Sequence, residues 1–148
     1  MIADGAQVLG TDINAEAGQA LCDGAGAKFL QQDVADRARW SEVIVAAVTK
    51  FGRLDILVNN AGNVSGASIG DGSDEELFAA WDQVIAVNLT GTMMGCRAAV
   101  AAMKNNPGAT GSIINIASTT AITPLPTDVG YSASKAGVRA LTKSVATW

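Results

Sequence analysis

A tyrosine and a lysine near the C-terminal end of the sequence are spaced for acid–base chemistry. Tyr131 is the only tyrosine in the chain, and Lys135 follows it by four residues. On an α-helix this spacing puts both side chains within about 40° of each other on one face. An ammonium group beside a phenol favours the phenolate, so the pair could exchange a proton with a hydroxyl or carbonyl group. The same spacing is also found in ordinary pairs on helix surfaces, and these two residues alone leave that alternative open.

Further polar residues follow the predicted strands, at the edge where parallel sheets bind ligands. They are Asp12, Asp33, the segment 59–62 (Asn-Asn-Ala-Gly) and Ser118. Each of them alone could be a helix cap or a turn former. Because four such positions fall at one edge of one predicted sheet, we predict a ligand site there.

Asp12 has a specific use at such an edge. A carboxylate at the end of the second strand of a dinucleotide-binding unit accepts hydrogen bonds from the adenosine ribose and repels a 2′-phosphate. Asp12 therefore indicates NAD, with NADP less expected. The glycine-rich pyrophosphate loop should precede such an acid by about 20 residues, which places it ahead of Met1. Residues 1–5 are accordingly expected to be the end of a helix and its terminal glycine.

Asn88 is a polar residue on an apolar helix stripe. At about 100° per residue, Leu77, Trp81, Val84 and Asn88 fall on one side of the predicted helix. A buried amide needs hydrogen-bond partners. Asn88 could bridge to a neighbouring strand, or it could open a kink whose freed carbonyl holds a water.

Strands and helices that alternate along the chain must position these residues. Short apolar runs predict the strands, and helical periodicity with caps at Asn14 and Asp36 predicts the helices. The predicted strands are 7–11, 27–31, 55–58 and 112–117, and the predicted helices are 14–22, 36–51, 74–104 and 131–148. Because the strands are continuously apolar, we expect an α/β fold with a doubly wound parallel sheet, Rossmann-like, covered by helices on both faces. Residues 1–148 form one domain without a linker.

Composition excludes several classes of function. The chain has 148 residues, 49% of them hydrophobic, and a net charge of −4 without a basic cluster, so neither nucleic acid nor a membrane surface is an expected partner. The absence of histidine excludes Ser-His-Asp and Cys-His mechanisms and histidine-ligated zinc. Cys22 and Cys96 stand alone, so we expect buried thiols and no metal site. No uninterrupted apolar run approaches the ~18 residues of a membrane span, and no signal pattern is present, which predicts a cytoplasmic protein.

Together the motifs resemble those of the short-chain dehydrogenase/reductase superfamily. The resemblance rests on Asn59-Asn60-Ala61-Gly62, Val87-Asn88-Leu89-Thr90-Gly91, Ser118 and Tyr131-Ser132-Ala133-Ser134-Lys135, with Asp33-Val34 in support. The motifs occur in the family's order and cover essentially the whole chain. The resemblance implies an oxidoreductase that transfers hydride between NAD(H) and a secondary alcohol or ketone.

The resemblance also implies a role for each site residue. Tyr131 would be the general acid/base, Ser118 would hydrogen-bond the reacting oxygen, Lys135 would assist the tyrosine and hold the nicotinamide ribose, and Asn88 would position a relay water. Asn59 would help to line the adenosine side. The implied cofactor-binding residues are Asp12, Ile13, Asp33, Val34, Asn60, Ala61, Gly62, Tyr131 and Lys135.

Parts of the family pattern have no counterpart in the sequence. The first strand, the glycine-rich loop and the C-terminal strands lie outside it, so the resemblance implies a partial NAD(P)-binding Rossmann domain without its central strand. Three hypotheses follow: an oxidoreductase whose full chain is longer, a catalytically silent truncated paralogue, and an assembly module that uses the helix faces. Ile122, Leu125 and Val129 predict an apolar substrate. For a full-length parent the family implies a homodimer or homotetramer.

Overall fold

The computed structural model describes residues 2–147, and its strands form two parallel pairs. Strand β1 (Leu9–Asp12) pairs with β2 (Lys28–Gln31), and β3 (Ile56–Asn59) pairs with β4 (Ser112–Asn115). Within the described residues no hydrogen-bonded ladder joins one pair to the other. The predicted parallel α/β architecture is confirmed, but the sheet is divided where the family would place its central strand.

Five α-helices connect and follow these strands in the described part of the chain. They are α1 (Ala15–Ala25), α2 (Arg37–Phe51), α3 (Asp74–Val84), α4 (Thr92–Met103) and α5 (Val129–Val145). Both predicted caps are confirmed, because Asn14 Oδ1 accepts a hydrogen bond from Ala17 N at 3.0 Å and Asp36 Oδ1 accepts one from Ala38 N at 2.9 Å. These carboxylate and amide caps satisfy backbone N–H groups that the first helical turn leaves unpaired.

Some predicted boundaries were wrong by a few residues. Strand β4 ends at Asn115, not at residue 117, and α5 begins at Val129 because Asp128 caps it ahead of Tyr131. The helix end predicted for residues 1–5 is a single 3₁₀ turn, Ile2–Asp4, followed by Gly5 with φ 92°. Met1 lies outside the described residues.

The helix predicted over 74–104 is present over Asp74–Met103, but its centre is not α-helical. A π-helical segment, Ile85–Gly91, separates α3 from α4, and Asn88 lies at its centre. By length and composition, Asp74–Met103 could cross a membrane, with a mean hydropathy of 1.3 in its most apolar window, which a count of uninterrupted apolar runs does not detect. Of that window, 44% is buried inside the described structure, and a single helix of this kind is weak evidence for a membrane span.

Helices α2 and α4 pack closely against each other and join the two halves of the fold. A Cβ atom at Gly95 in α4 would collide with the side chains of Asn59 and Trp40, so only glycine allows this approach. On the other side of β3 and β4, Ile56 and Ile114 are 47% and 45% exposed. Within the described residues, the face of this strand pair that bears Ile56 and Ile114 is therefore less covered by helices than the face against α4.

Candidate active site

The first turns of α5 place an ammonium group beside the only tyrosine. Lys135 is 5% exposed, and its Nζ donates a hydrogen bond to the carbonyl oxygen of Ile116 at 2.8 Å. The same Nζ lies 5.7 Å from the centre of the Tyr131 ring, so the two side chains share one helix face as predicted. Burial lowers the pKa of Lys135. Since an ammonium group carries three N–H donors, two remain for a ligand.

Gly62 brings the backbone that follows β3 against the same group. A Cβ atom built on Gly62 would lie 3.4 Å from Lys135 Nζ and 3.4 Å from Asn88 Oδ1. The strand end, the π-helical segment and α5 therefore meet at one point. A side chain larger than a methyl group at position 62 would have to displace the amide or the ammonium.

Asn88 is completely buried and uses its side chain to hold the loop after β3. Its Oδ1 accepts from Asn63 N and its Nδ2 donates to Asn63 O, each at 2.9 Å, and Nδ2 also donates to Ser134 Oγ at 3.1 Å. Asn88 therefore has the structural bridging role considered above, directed to a loop instead of a strand. The expected kink is present as a π-helix. Thr92 Oγ1 donates to Asn88 O at 2.7 Å, and the relay water remains a prediction.

Ser118 caps a short 3₁₀ turn, Thr119–Ala121, just beyond β4. Its Oγ accepts a hydrogen bond from Thr120 N at 3.2 Å. An accepted bond leaves the hydroxyl proton free to donate, which is what stabilisation of a reacting oxygen requires. Lys135 Nζ hydrogen-bonds the carbonyl oxygen of Ile116, two residues before Ser118. This hydrogen bond connects the segment that follows β4 to α5.

Two carboxylates lie together at the ends of β1 and β2. Asp12 Oδ1 accepts from Asn14 N and Asp33 Oδ1 accepts from Ala35 N, each at 2.8 Å. Gln32 N donates to Asp12 O at 2.9 Å and so brings the two turns side by side. Both carboxylates therefore form turns, which is the alternative to ligand binding stated in the sequence analysis. Each residue is nevertheless exposed, and each carboxylate has a second oxygen available for a ligand.

The remaining predicted cofactor residues are also at this edge. Ile13 is 65% exposed, and Asn60, Ala61 and Gly62 are exposed as well. The side chain of Val34 lies 3.1 Å from a Cβ atom built on Gly91, which links the carboxylate turns to the π-helical segment.

Asn59 is the exception at this edge. It is only 8% exposed, and its Nδ2 donates to Asn115 Oδ1 at 2.8 Å across the β3–β4 pair. Its side chain therefore lies inside the protein and does not line the adenosine side, which corrects the expectation from the sequence.

These residues fit parts of a nicotinamide dinucleotide. The exposed Asp12 carboxylate suits a ribose, the exposed backbone at 60–62 suits the approach of a flat ligand, and the Lys135 ammonium suits a second ribose. Within residues 2–147 the turns that lead from β1 into α1 and from β2 into α2 contain no glycine, and the glycines after β3 lie in a long loop instead of a tight turn at a helix N-terminus, which is what a pyrophosphate site requires. Two surface clefts of about 300 and 290 Å³ lie elsewhere, one beside α1 and β2 and the other between α2 and the end of α4, and neither contains a predicted site residue.

Sequence reasoning missed three residues that organise the site. Asn63 and Ser134 are partners of Asn88, and Asp128 caps α5 while also binding the loop after Gly62. The only signal for Asp128 was its place three residues before Tyr131, which is the spacing of a helix cap. No sequence signal pointed to the partners of Asn88.

Comparison with known proteins identifies the family. The sequence model of the short chain dehydrogenase family matches residues 1–147. This chain belongs to the short-chain dehydrogenase family. A crystal structure of a short chain dehydrogenase from Mycobacterium smegmatis superposes with a TM-score of 0.88 at 33% identity, covering 97% of this chain and 60% of that one. The predicted Rossmann-like fold is thereby confirmed.

Several curated dehydrogenases are similar to this short-chain dehydrogenase. A 3-alpha-(or 20-beta)-hydroxysteroid dehydrogenase of Mycobacterium tuberculosis is 41% identical over 99% of this chain and 55% of its own length. A trans-4-hydroxycyclohexanecarboxylate dehydrogenase of Sinomonas cyclohexanicum is 38% identical, and an NADP-dependent (R)-specific alcohol dehydrogenase of Lentilactobacillus kefiri is 34% identical. The chain spans 58% and 57% of these two relatives, so it matches little more than half of each protein.

Proposed function

We propose that this chain is the catalytic and adenosine-binding part of an oxidoreductase that transfers hydride between NAD(H) and a secondary alcohol or ketone. The observation that carries the proposal is the meeting of Gly62, Asn88 and Lys135 beside Tyr131. A buried ammonium, a phenol and an exposed strand-end backbone at one point are the parts that proton transfer next to a dinucleotide needs.

The side chains divide the chemistry as follows. Bound NAD would accept hydride from the carbinol carbon, or NADH would return it. Tyr131 Oη takes the proton from the alcohol during oxidation and gives it back during reduction. Ser118 Oγ–H donates to the same oxygen as charge develops on it. Lys135, whose Nζ lies 5.7 Å from the centre of the Tyr131 ring, assists the proton transfer by its charge and donates its remaining N–H groups to the nicotinamide ribose. Asn88 O holds the water through which the proton reaches solvent.

We assign NAD, not NADP, as the cofactor on the basis of Asp12. Its exposed carboxylate at the end of β1 would repel the 2′-phosphate of NADP and accept from the 2′-hydroxyl of NAD. One relative is NADP-dependent by name, so family membership does not decide the cofactor, and our assignment of NAD rests on Asp12.

The expected substrate is an apolar, cyclic secondary alcohol or its ketone. Two of the similar proteins are named for hydroxysteroids and for a hydroxycyclohexane carboxylate. In this chain Ile122 and Leu125, in the loop before α5, are 74% and 45% exposed, and Val64, in the loop after β3, is 68% exposed. Such side chains would gain from burial against a ring system.

We further propose that the functional protein is cytoplasmic and a homodimer or homotetramer. Ala101 in α4 and Ala136 and Ala140 in α5 are exposed small residues that permit close helix approach between subunits. Met94, which the sequence pattern places with them, is 7% exposed and belongs to the chain's own core.

Steady-state assays test the proposal. They use the longer protein, which is the full-length oxidoreductase of which we propose that this chain is a part. With NAD⁺ and a panel of hydroxysteroids and substituted cyclohexanols, NADH formation at 340 nm is expected for at least one alcohol. NAD binding without turnover on any alcohol or ketone would favour the silent paralogue, and neither binding nor turnover in a stable oligomer would favour the assembly module.

A further inference from the structure

The buried carboxylate of Asp128 binds two separate segments of the chain at once. Asp128 is 5% exposed. Its Oδ1 accepts from Tyr131 N and from Ser65 Oγ, and its Oδ2 accepts from Ser65 N and Gly66 N, each at 2.9 Å. A helix cap needs only one carboxylate oxygen for the helix. Here both hydrogen bonds that Oδ2 accepts, and one of the two that Oδ1 accepts, come from a loop more than 60 residues away in sequence.

The loop that Asp128 holds has no regular secondary structure of its own. Val129 N also donates to Ala67 O at 3.3 Å, and Ala67 N donates to Ser65 Oγ at 3.2 Å. Gly66 has φ 66°, in the left-handed region that favours glycine, directly after the Ser65 N–H and at the Gly66 N–H that Asp128 Oδ2 accepts. Residues 65–67 and the first turn of α5 thus form one hydrogen-bonded unit.

The same loop is fastened a second time at its other end. Asn63 is held through both of its backbone groups by Asn88, and Gly62 lies against Lys135. The loop therefore runs from the ammonium of the site to the N-terminus of the helix that carries Tyr131. A change at Asn88 or at Asp128 would therefore alter the position of the loop relative to the phenol of Tyr131.

Hydrogen-bond donors and the N-terminus of α5 favour the ionised form of Asp128. Burial acts to raise the pKa of Asp128, but the hydrogen bonds from Gly66, Tyr131 and Ser65 together outweigh burial and lower it. The N-terminal end of α5 adds a favourable field for a negative charge. At neutral pH both oxygens are therefore acceptors, which an amide could not reproduce.

Resting on the function proposed above, we propose that Asp128 is a positioning residue that fixes Tyr131 against the loop 62–67 on the substrate side. Proton transfer requires the phenol within about 3 Å of the reacting oxygen. A misplacement of about 1 Å can cost on the order of a hundredfold in rate. Asp128 touches neither substrate nor cofactor in this account and acts only through the two segments that it joins.

Asp128→Asn tests the proposal, with Asp36→Asn as a matched control. Both residues cap an α-helix through Oδ1, but among the described residues the Asp36 side chain accepts only from Ala38 N and holds no loop. In the longer protein we expect Asp128→Asn to lower kcat by about 10- to 100-fold and to raise the primary deuterium isotope effect on kcat, because misplacement slows the chemical step. The Kd for NADH should stay within about threefold, and Asp36→Asn should change none of these values.

Amide hydrogen exchange provides a readout that does not depend on activity. An amide side chain cannot accept at both ends, so Asp128→Asn should speed exchange at least about tenfold either at Ser65 and Gly66 or at Tyr131. Ser65→Ala, which removes one donor and is milder, should lower kcat about threefold.

Wild-type kcat and isotope effect in Asp128→Asn, or unchanged exchange at all three amides, would overturn the proposal. A wild-type protein without any dehydrogenase activity would instead refute the proposed function, and the exchange data would still decide whether Asp128 joins the two segments.

Discussion

Asn88 and Asn63 exchange a reciprocal pair of hydrogen bonds, in which the side-chain amide of one satisfies both backbone groups of the other. Asn63 N donates to Asn88 Oδ1, and Asn88 Nδ2 donates to Asn63 O, each at 2.9 Å. This is how the π-helical segment holds the loop beside Lys135. The site is therefore built on a buried amide contact as much as on the residues that would do the chemistry.

Replacement of Asn88 by alanine is expected to destabilise the fold. The change leaves the half-buried N–H and C=O of Asn63 without their partners, at a cost of about 2–4 kcal/mol in the free energy of unfolding. Asn105→Ala, at an exposed amide near the end of α4, should cost under about 0.5 kcal/mol. Urea unfolding of both variants measures the difference, and equal midpoints would show that the Asn88 contact contributes little.

The helices and strands that carry the site could be predicted from the sequence because they depend on interactions between residues that are close in sequence. The caps at Asn14 and Asp36, the alternation of strands and helices, and the shared helix face of Tyr131 and Lys135 all follow from residues within a few positions of one another. The contacts of Asn88 with Asn63 and of Asp128 with Ser65 could not be predicted, because each joins segments far apart in sequence. The burial of Asn59 was missed for the same reason, since its partner Asn115 is on another strand.

Cofactor preference should depend on Asp12. Removing its charge in Asp12→Ala is expected to lower the ratio of kcat/KM for NAD to that for NADP by about 5- to 30-fold, equivalent to about 1–2 kcal/mol of repulsion near the protein surface. Asp33→Ala is the control, because its carboxylate caps the neighbouring turn and should affect both cofactors alike. A wild-type protein that prefers NADPH would refute the role of Asp12.

Stability in acid should depend on Asp128. Its pKa is lowered in the folded protein, so as the pH falls toward and below 3.8 the unfolded chain takes up the proton first. The contribution of Asp128 is therefore complete above the unfolded pKa and is lost as the pH falls through the folded pKa.

Urea titrations between pH 3 and pH 6 measure this contribution. The free energy of unfolding of the wild type should fall more steeply with acid than that of Asp128→Asn. Parallel curves for wild type and Asp128→Asn would contradict the assignment.

The 148 residues expressed alone are expected neither to bind NAD at micromolar concentration nor to oxidise an alcohol. The described residues present no pyrophosphate cradle, and the β1–β2 and β3–β4 pairs are not joined. Calorimetric titration with NAD checks the expectation. Saturable micromolar binding would mean that a second chain or a rearranged sheet supplies the missing contacts.

The most direct test of the account is single-turnover hydride transfer by Tyr131→Phe in the longer protein, with Ser118→Ala alongside. Deleting one hydroxyl should remove nearly all turnover while the Kd for NADH stays close to that of the wild type, because only the proton-transfer group is lost. Ser118→Ala should retain more activity, since it removes one donor worth roughly 3 kcal/mol, or about a hundredfold in rate. A Tyr131→Phe protein that transfers hydride at more than about a tenth of the wild-type rate would contradict the assignment of Tyr131 as the acid/base.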